Sequence, residues 1–142
     1  MRKPLRSLTT IVIFAILCLA LAGCGNNKPE PQPWESAAYT EDAEFGQGSK
    51  TIEVAVMVED KTVTFTLKTD KDNLEEALTE HNLISGKKGP YGMYVKVVNG
   101  ITADYDIDRT YWSLTKNGAA MLTGVTDTKI SDGEHYELTY TK

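Results

Sequence analysis

The clearest pattern along the chain is an alternation over residues 52–67. Ile52, Val54, Val56 and Val58 alternate with Glu53, Ala55 and Met57. Beyond the polar break at Glu59-Asp60-Lys61, Val63, Phe65 and Leu67 alternate with Thr62, Thr64 and Thr66. Period-two alternation rich in β-branched residues on both sides of a short polar break predicts a hairpin with one buried face. Asp72-Asn73-Leu74-Glu75 then reads as a helix start, with Asp72 as the cap and Glu75 three residues later. Leu74, Ala77, Leu78 and His81 fall on one helical face, and Gly86 with Lys87 and Lys88 marks a stop. One helix of about three turns, laid on a sheet, is expected.

Three further strands come after it. Met93, Val95 and Val97 alternate with Tyr94, Lys96 and Val98 up to Asn99-Gly100, a tight-turn dipeptide. Tyr111–Thr115 runs into a second such pair at Asn117-Gly118, and in His135–Thr141 the residues Tyr136, Leu138 and Tyr140 share a face. The predicted fold class is α+β: a small β-grasp-like domain, mostly antiparallel sheet with one packed helix. Pattern alone leaves the strand order open.

The N-terminus reads as an export signal. Arg2, Lys3 and Arg6 precede an apolar run from Leu8 to Leu21, interrupted by Thr9 and Thr10, and Leu21-Ala22-Gly23-Cys24 closes it. A basic start, an apolar stretch of this length and small residues before the cut describe a signal peptide over residues 1–23. Cysteine directly after Ala-Gly is what lipoprotein processing requires, so Cys24 is the expected lipidation site. A diacylglyceryl group there supplies two acyl chains, enough for stable anchoring. Cys18 leaves with the signal and Cys24 is consumed by lipid, which leaves no thiol for disulfides, metal or nucleophilic chemistry. The expected location is extracytoplasmic, on the cell membrane. Residues 24–49, rich in proline and polar groups and ending Gly46-Gln47-Gly48-Ser49, read as lipidated cysteine plus flexible tether, despite Trp34, Tyr39 and Phe45. Residues 50–142 remain as the folded domain.

Charge narrows the partners. The full chain carries −5, and removing residues 1–23 deletes three positive and no negative charges, giving −8. An acidic exported domain is a poor match for nucleic acid, whose phosphates demand clustered Lys and Arg. Catalytic motifs are missing too: there is no Gly-x-Ser-x-Gly elbow, phosphate-binding glycine loop or His-Glu-x-x-His. No enzyme, no metal site and no cofactor are expected. Asp104, Asp106 and Asp108 have the spacing of a calcium loop, but Arg109 stands at its glycine position and Thr115 where the bidentate Glu belongs. A solvated acidic loop is the simpler reading. Tyr91, Tyr94, Tyr105, Tyr111 and Trp112 are either ordinary strand residues or a flat apolar rim that stacks on a planar ligand or a partner.

Residues 50–142 resemble the transcobalamin-like C-terminal domain family, found in bacterial lipoproteins and as the small domain of animal cobalamin carriers. The resemblance rests on Tyr91-Gly92, Asn99-Gly100-Ile101, Thr110-Tyr111-Trp112, Gly124-Val125 with Asp127, and Gly133-Glu134-His135. It implies a domain covering one face of a corrin, with a larger helical domain opposite. Carried over by position, the implied ligand-binding residues are Tyr91, Gly92, Met93, Tyr94, Val98, Asn99, Tyr111 and Trp112; Trp112 is the one most consistent with a core role. The chain has no helical barrel domain of its own, so it offers half of such a site. The expectation is a membrane-anchored binding lipoprotein, with cobalamin or another corrinoid as ligand and a transporter or ectodomain as partner. The alternative is a protein-interaction module of the cell envelope with no small ligand.

Overall fold

The structure is a computed structural model that describes residues 30–142. The expected signal peptide and lipidated Cys24 lie outside the described residues. Gln32–Lys142 form one compact unit, and both sheets belong to it. No helix among the described residues is long and apolar enough to cross a membrane.

The alternating stretch forms the expected hairpin. Strands β2 (Lys50–Val58) and β3 (Lys61–Thr69) pair in the register Ile52↔Leu67, Val54↔Phe65 and Val56↔Val63. These six side chains and Val58 are almost wholly buried. Each contributes up to about 1.5–3 kcal/mol by leaving water. The register is thereby fixed, since a slip by one residue would turn the whole apolar row outward.

Strand β9 (His135–Thr141) runs parallel to β2 on its other side, and β7 (Tyr111–Lys116) pairs antiparallel with β9. The short strands β1 (Ala43–Gly46) and β8 (Ala119–Ala120) complete a six-stranded sheet in the order β1-β3-β2-β9-β7-β8. A second sheet of three strands contains β4 (Ile84–Gly89), β5 (Gly92–Val98) and β6 (Ile101–Thr102). The described residues are thus mostly sheet, with two short α-helices. One core joins the inner face of the large sheet to Leu74, Ala77 and Leu78 of the first helix and to Ile84, Val98 and Ile101 of the small sheet.

That helix, α1 (Leu74–Thr79), is shorter than the pattern predicts. Its cap is Asn73 rather than Asp72: the Asn73 side chain accepts the Glu76 N–H at 2.9 Å. The chain leaves the helix before Asn82, whose φ of +55° no helix contains. Gly86, expected as the stop, lies instead within β4 and pairs with Val95. The second helix, α2 (Tyr105–Asp108), replaces the expected acidic loop.

The largest departure is in residues 32–49, assigned by composition to the tether. Pro33–Ser36 forms a 3-10 helix lying against β6, and Ala43–Gly46 adds parallel to β3. Trp34, Ala37, Ala43 and Phe45 pack against the core. Tyr39, Phe45 and Phe65 make a trio of edge-to-face rings with centroids 5.4–5.7 Å apart, a favoured geometry for aromatic pairs. The glycine-rich end is no loose joint either. A Cβ on Gly46 would stand 2.2 Å from the Lys68 carbonyl oxygen, so glycine there permits a close crossing over the end of β3.

Candidate functional site

The β4–β5 hairpin ends in Pro90-Tyr91, and its tip leans on the start of α1. Thr126, in the loop between β8 and β9, ties the two together. Its Oγ1 accepts the Met93 N–H at 2.8 Å and donates to the Glu75 carboxylate. Gly92 makes the approach possible: its φ is +94°, and a Cβ would fall 2.3 Å from Thr126 Oγ1. Between hairpin and helix lies an open groove of about 310 Å3. Its chemistry comes from Glu75, Glu76 and Asn73 on one side, and from Lys88, Met93 and Thr126 on the other.

The helix start offers no anion hole. The Leu74 N–H donates to the Thr128 carbonyl at 2.9 Å, Glu75 N–H to Val125 at 3.0 Å, and Glu76 N–H to Asn73 Oδ1. Lys88 forms no ion pair among the described residues, although it lines the same groove as Glu75 and Glu76. The groove therefore presents an ammonium, carboxylates and an amide around an apolar methionine. Such a lining suits a ligand edge carrying both hydrogen-bond donors and acceptors.

The eight residues carried over from the resemblance do not share one place. Gly92 and Met93 line the groove. Tyr91 sits at the hairpin tip with 89% of its surface exposed, and Tyr94 is half exposed on β5. Val98 and Asn99 lie at the other end of β5 and are buried. Trp112 is core, with its ring 5.6 Å from that of Tyr140. Tyr111, its neighbour, points to the opposite face of the large sheet and lies 6.4 Å from Tyr105. Sequence pattern does not single out Asn73, Glu75, Glu76, Lys88 and Thr126 as site residues. The helix-start motif Asp72-Asn73-Leu74-Glu75, read with Asp72 as the cap, is the one signal for any of them.

The aspartates of the calcium-like spacing are spent locally. Asp104 accepts the Lys96 ammonium at 2.7 Å and caps α2 through the Asp106 N–H. The Lys96 hydrogen bond holds its carboxyl below the usual range, against the opposing effect of burial. Asp108 is held low as well, chiefly by the Thr110 hydroxyl and then by the Thr110 N–H. Arg109 closes the turn at φ +65° and stacks over the Tyr105 ring at 5.0 Å. No group of three or more His, Cys, Asp or Glu side chains among the described residues could hold a metal ion.

A small sheet-rich domain with an open groove between hairpin and helix is the class of protein these features define. Residues 71–142 match the family described as domain of unknown function DUF4430, and the chain belongs to that family. A crystal structure from Ruminococcus gnavus ATCC 29149, described as a candidate metal-binding protein, is 36% identical with a TM-score of 0.63. The match covers 66% of this chain and 98% of that one. Haptocorrin in complex with Cbi matches at 22% identity and a TM-score of 0.51, over 69% of this chain and 26% of its own. At that identity the likeness concerns the fold alone. No curated protein matches the chain.

Proposed function

We propose that residues 32–142 are the ligand-binding module of a lipid-anchored extracytoplasmic lipoprotein, with a β-grasp-like fold and a half-site for a corrinoid that a partner completes. The hairpin, the helix and the placement of β9 parallel beside β2 support the grasp-like reading. The observation that carries the function is the groove beside the hairpin tip that bears Tyr91. It joins a mixed donor and acceptor lining to a nearly free aromatic ring. A corrin bears a fringe of amide arms around a flat macrocycle. An arm suits the groove, and the macrocycle suits the tyrosine face.

Size argues for half a site. Pockets that bury most of a drug-sized ligand run from about 300 to 1,000 Å3, and a corrinoid is larger than a drug. At about 310 Å3 and open to solvent, the groove can hold one edge of such a molecule. Affinity then depends on a second surface, because a half-buried ligand forfeits contact area and preorganisation. The metal-binding description of the Ruminococcus protein finds no matching ligand cluster among the described residues here.

A second reading is favoured by one observation. β4 is an edge of the small sheet, and Ser85–Gly89 are exposed along it. An extended segment of a partner protein could pair there, which makes the domain an interaction module. Calorimetric titration with cyano- and adenosylcobalamin, alone and with candidate envelope partners, separates the two. Binding that weakens in Tyr91→Ala and Lys88→Ala supports the corrinoid half-site. Partner binding that ignores both substitutions and cobalamin sinks it.

A further inference from the structure

We infer that residues 32–49 are a strap that holds the groove on the side of the domain away from the membrane. This inference rests on the lipid-anchor reading above. The strap is fastened at one place above all. Asn99, in the turn after β5, is almost wholly buried and has φ +51°. Its side-chain Oδ1 accepts the Tyr39 N–H and its Nδ2 donates to the Tyr39 carbonyl, both at 2.8 Å. Its own carbonyl accepts the Ala38 N–H, also at 2.8 Å. The side chain thus imitates a strand pair, closing the strap onto the turn as a neighbouring strand would. Phe45 and β1 fasten the second half against β3.

This fastening decides where any tether attaches. The strap begins at Gln32 and lies against β6, at the Asn99-Gly100 end of β5. The groove and Tyr91 lie at the other end, about 20 Å away along the seven residues of β5. Eight peptide steps lead from Cys24 to Gln32, and no backbone conformation stretches them beyond about 29 Å. With the strap open, the span from Cys24 to Lys50 is 26 residues and reaches about 90 Å. A docked strap therefore keeps the attachment end near the bilayer and leaves the hairpin free to meet ligand and partner.

The test uses the full lipidated chain in phosphatidylcholine–phosphatidylglycerol vesicles. After processing, an introduced cysteine is the sole free thiol. A fluorophore at Thr102→Cys, on β6, is compared with one at Lys87→Cys, on the hairpin, by energy transfer to headgroup acceptors. Transfer from Thr102→Cys is expected to exceed that from Lys87→Cys, because their partners on β5, Val97 and Tyr94, stand about 10 Å apart along the strand. Opening the strap with Ala38→Pro and Phe45→Ala together is expected to bring the ratio near one. Hydrogen exchange of the β1 amides reports the opening, and thermal melting reports that the rest stays folded. A native ratio at or below one, including a hairpin pressed to the bilayer, overturns the inference. So does a ratio that survives an opened strap. Vesicle flotation keeps the premises apart: a native chain that does not float sinks the lipid anchor itself, whereas floating chains with equal transfer sink only the strap.

Discussion

The two ends of β5 carry similar-looking residues and do opposite work. At one end Tyr91, Gly92, Met93 and Tyr94 surround a hairpin tip with exposed rings and an open groove. At the other, Val98 and Asn99 are buried, and Asn99 uses its amide on the backbone of Tyr39. Both ends have a left-handed turn with a glycine at positive φ, Gly92 and Gly100. The difference lies in what approaches from outside. At the Asn99 end the chain's own strap has already taken the hydrogen bonds. At the Tyr91 end nothing among the described residues covers the ring, so this end is free to bind. A polar residue in a turn is evidence for a site only when its partners are not already supplied.

The largest effect is expected at the strapped end. Asn99→Ala removes both hydrogen bonds to Tyr39 and places a Cβ-bearing residue without a polar side chain at φ +51°. Together these should cost about 3 kcal/mol, or about 15 °C in melting temperature for a domain of this size. Ligand affinity of the fraction still folded should not change. A loss of affinity at full folding would put Asn99 in the site and erase the contrast between the two ends.

Gly92→Ala comes next. A Cβ there meets Thr126 Oγ1 at 2.3 Å in a left-handed backbone, so the substitution strains the turn and displaces the latch together. The expected cost is about 2 kcal/mol, and here, unlike at Asn99, affinity should fall with stability. Thr126→Val is milder. It leaves the Met93 N–H and the Glu75 carboxylate without their common partner, at about 1–2 kcal/mol. Hydrogen exchange at Met93 should quicken while exchange at Asn99 does not. Equal quickening at both would mean that the two ends do not open independently.

Acid should act on the carboxylates around α2. Asp104 and Asp108 have carboxyls held below their ordinary values, so they bind protons more readily in the unfolded chain. Their contribution is complete above the unfolded value of about 3.9 and is lost as pH falls through the lower folded values. Stability should therefore decline with acidification below about pH 4. Lys96→Met, which removes the main cause of the Asp104 shift, should flatten that decline. An unchanged acid profile would mean that the Lys96–Asp104 pair does not hold in solution.

How much of this was legible depended on whether the signal was local. The β2–β3 hairpin was readable because seven apolar side chains alternate in unbroken order, and burial of one face leaves one register. β9 was readable for the same reason. β4 was not: Ser85-Gly86-Lys87-Lys88-Gly89 has little strand propensity and forms a strand because β5 pairs with it. The strap was hidden more deeply. Prolines and glycines in residues 29–48 have the composition of a linker, yet Trp34, Tyr39 and Phe45 find core partners far along the chain. Of the groove, Gly92 and Met93 were in view, but Thr126 and Lys88 join them through tertiary contacts that no spacing records.

The smallest effect on stability is expected at Tyr91, and it bears most directly on function. With 89% of its surface exposed, Tyr91 contributes little to the fold. Tyr91→Ala should change stability by no more than about 0.5 kcal/mol, as exposed substitutions do. If the ring stacks on a planar ligand, the same change should weaken binding by about tenfold, a typical loss for an aromatic contact worth about 1–1.5 kcal/mol. Tyr91→Phe should retain nearly all the affinity, because stacking needs the ring and not the hydroxyl. If Tyr91→Phe loses as much as Tyr91→Ala, the tip recognises its ligand by hydrogen bonding, and the planar-ligand reading gives way to a polar or protein partner.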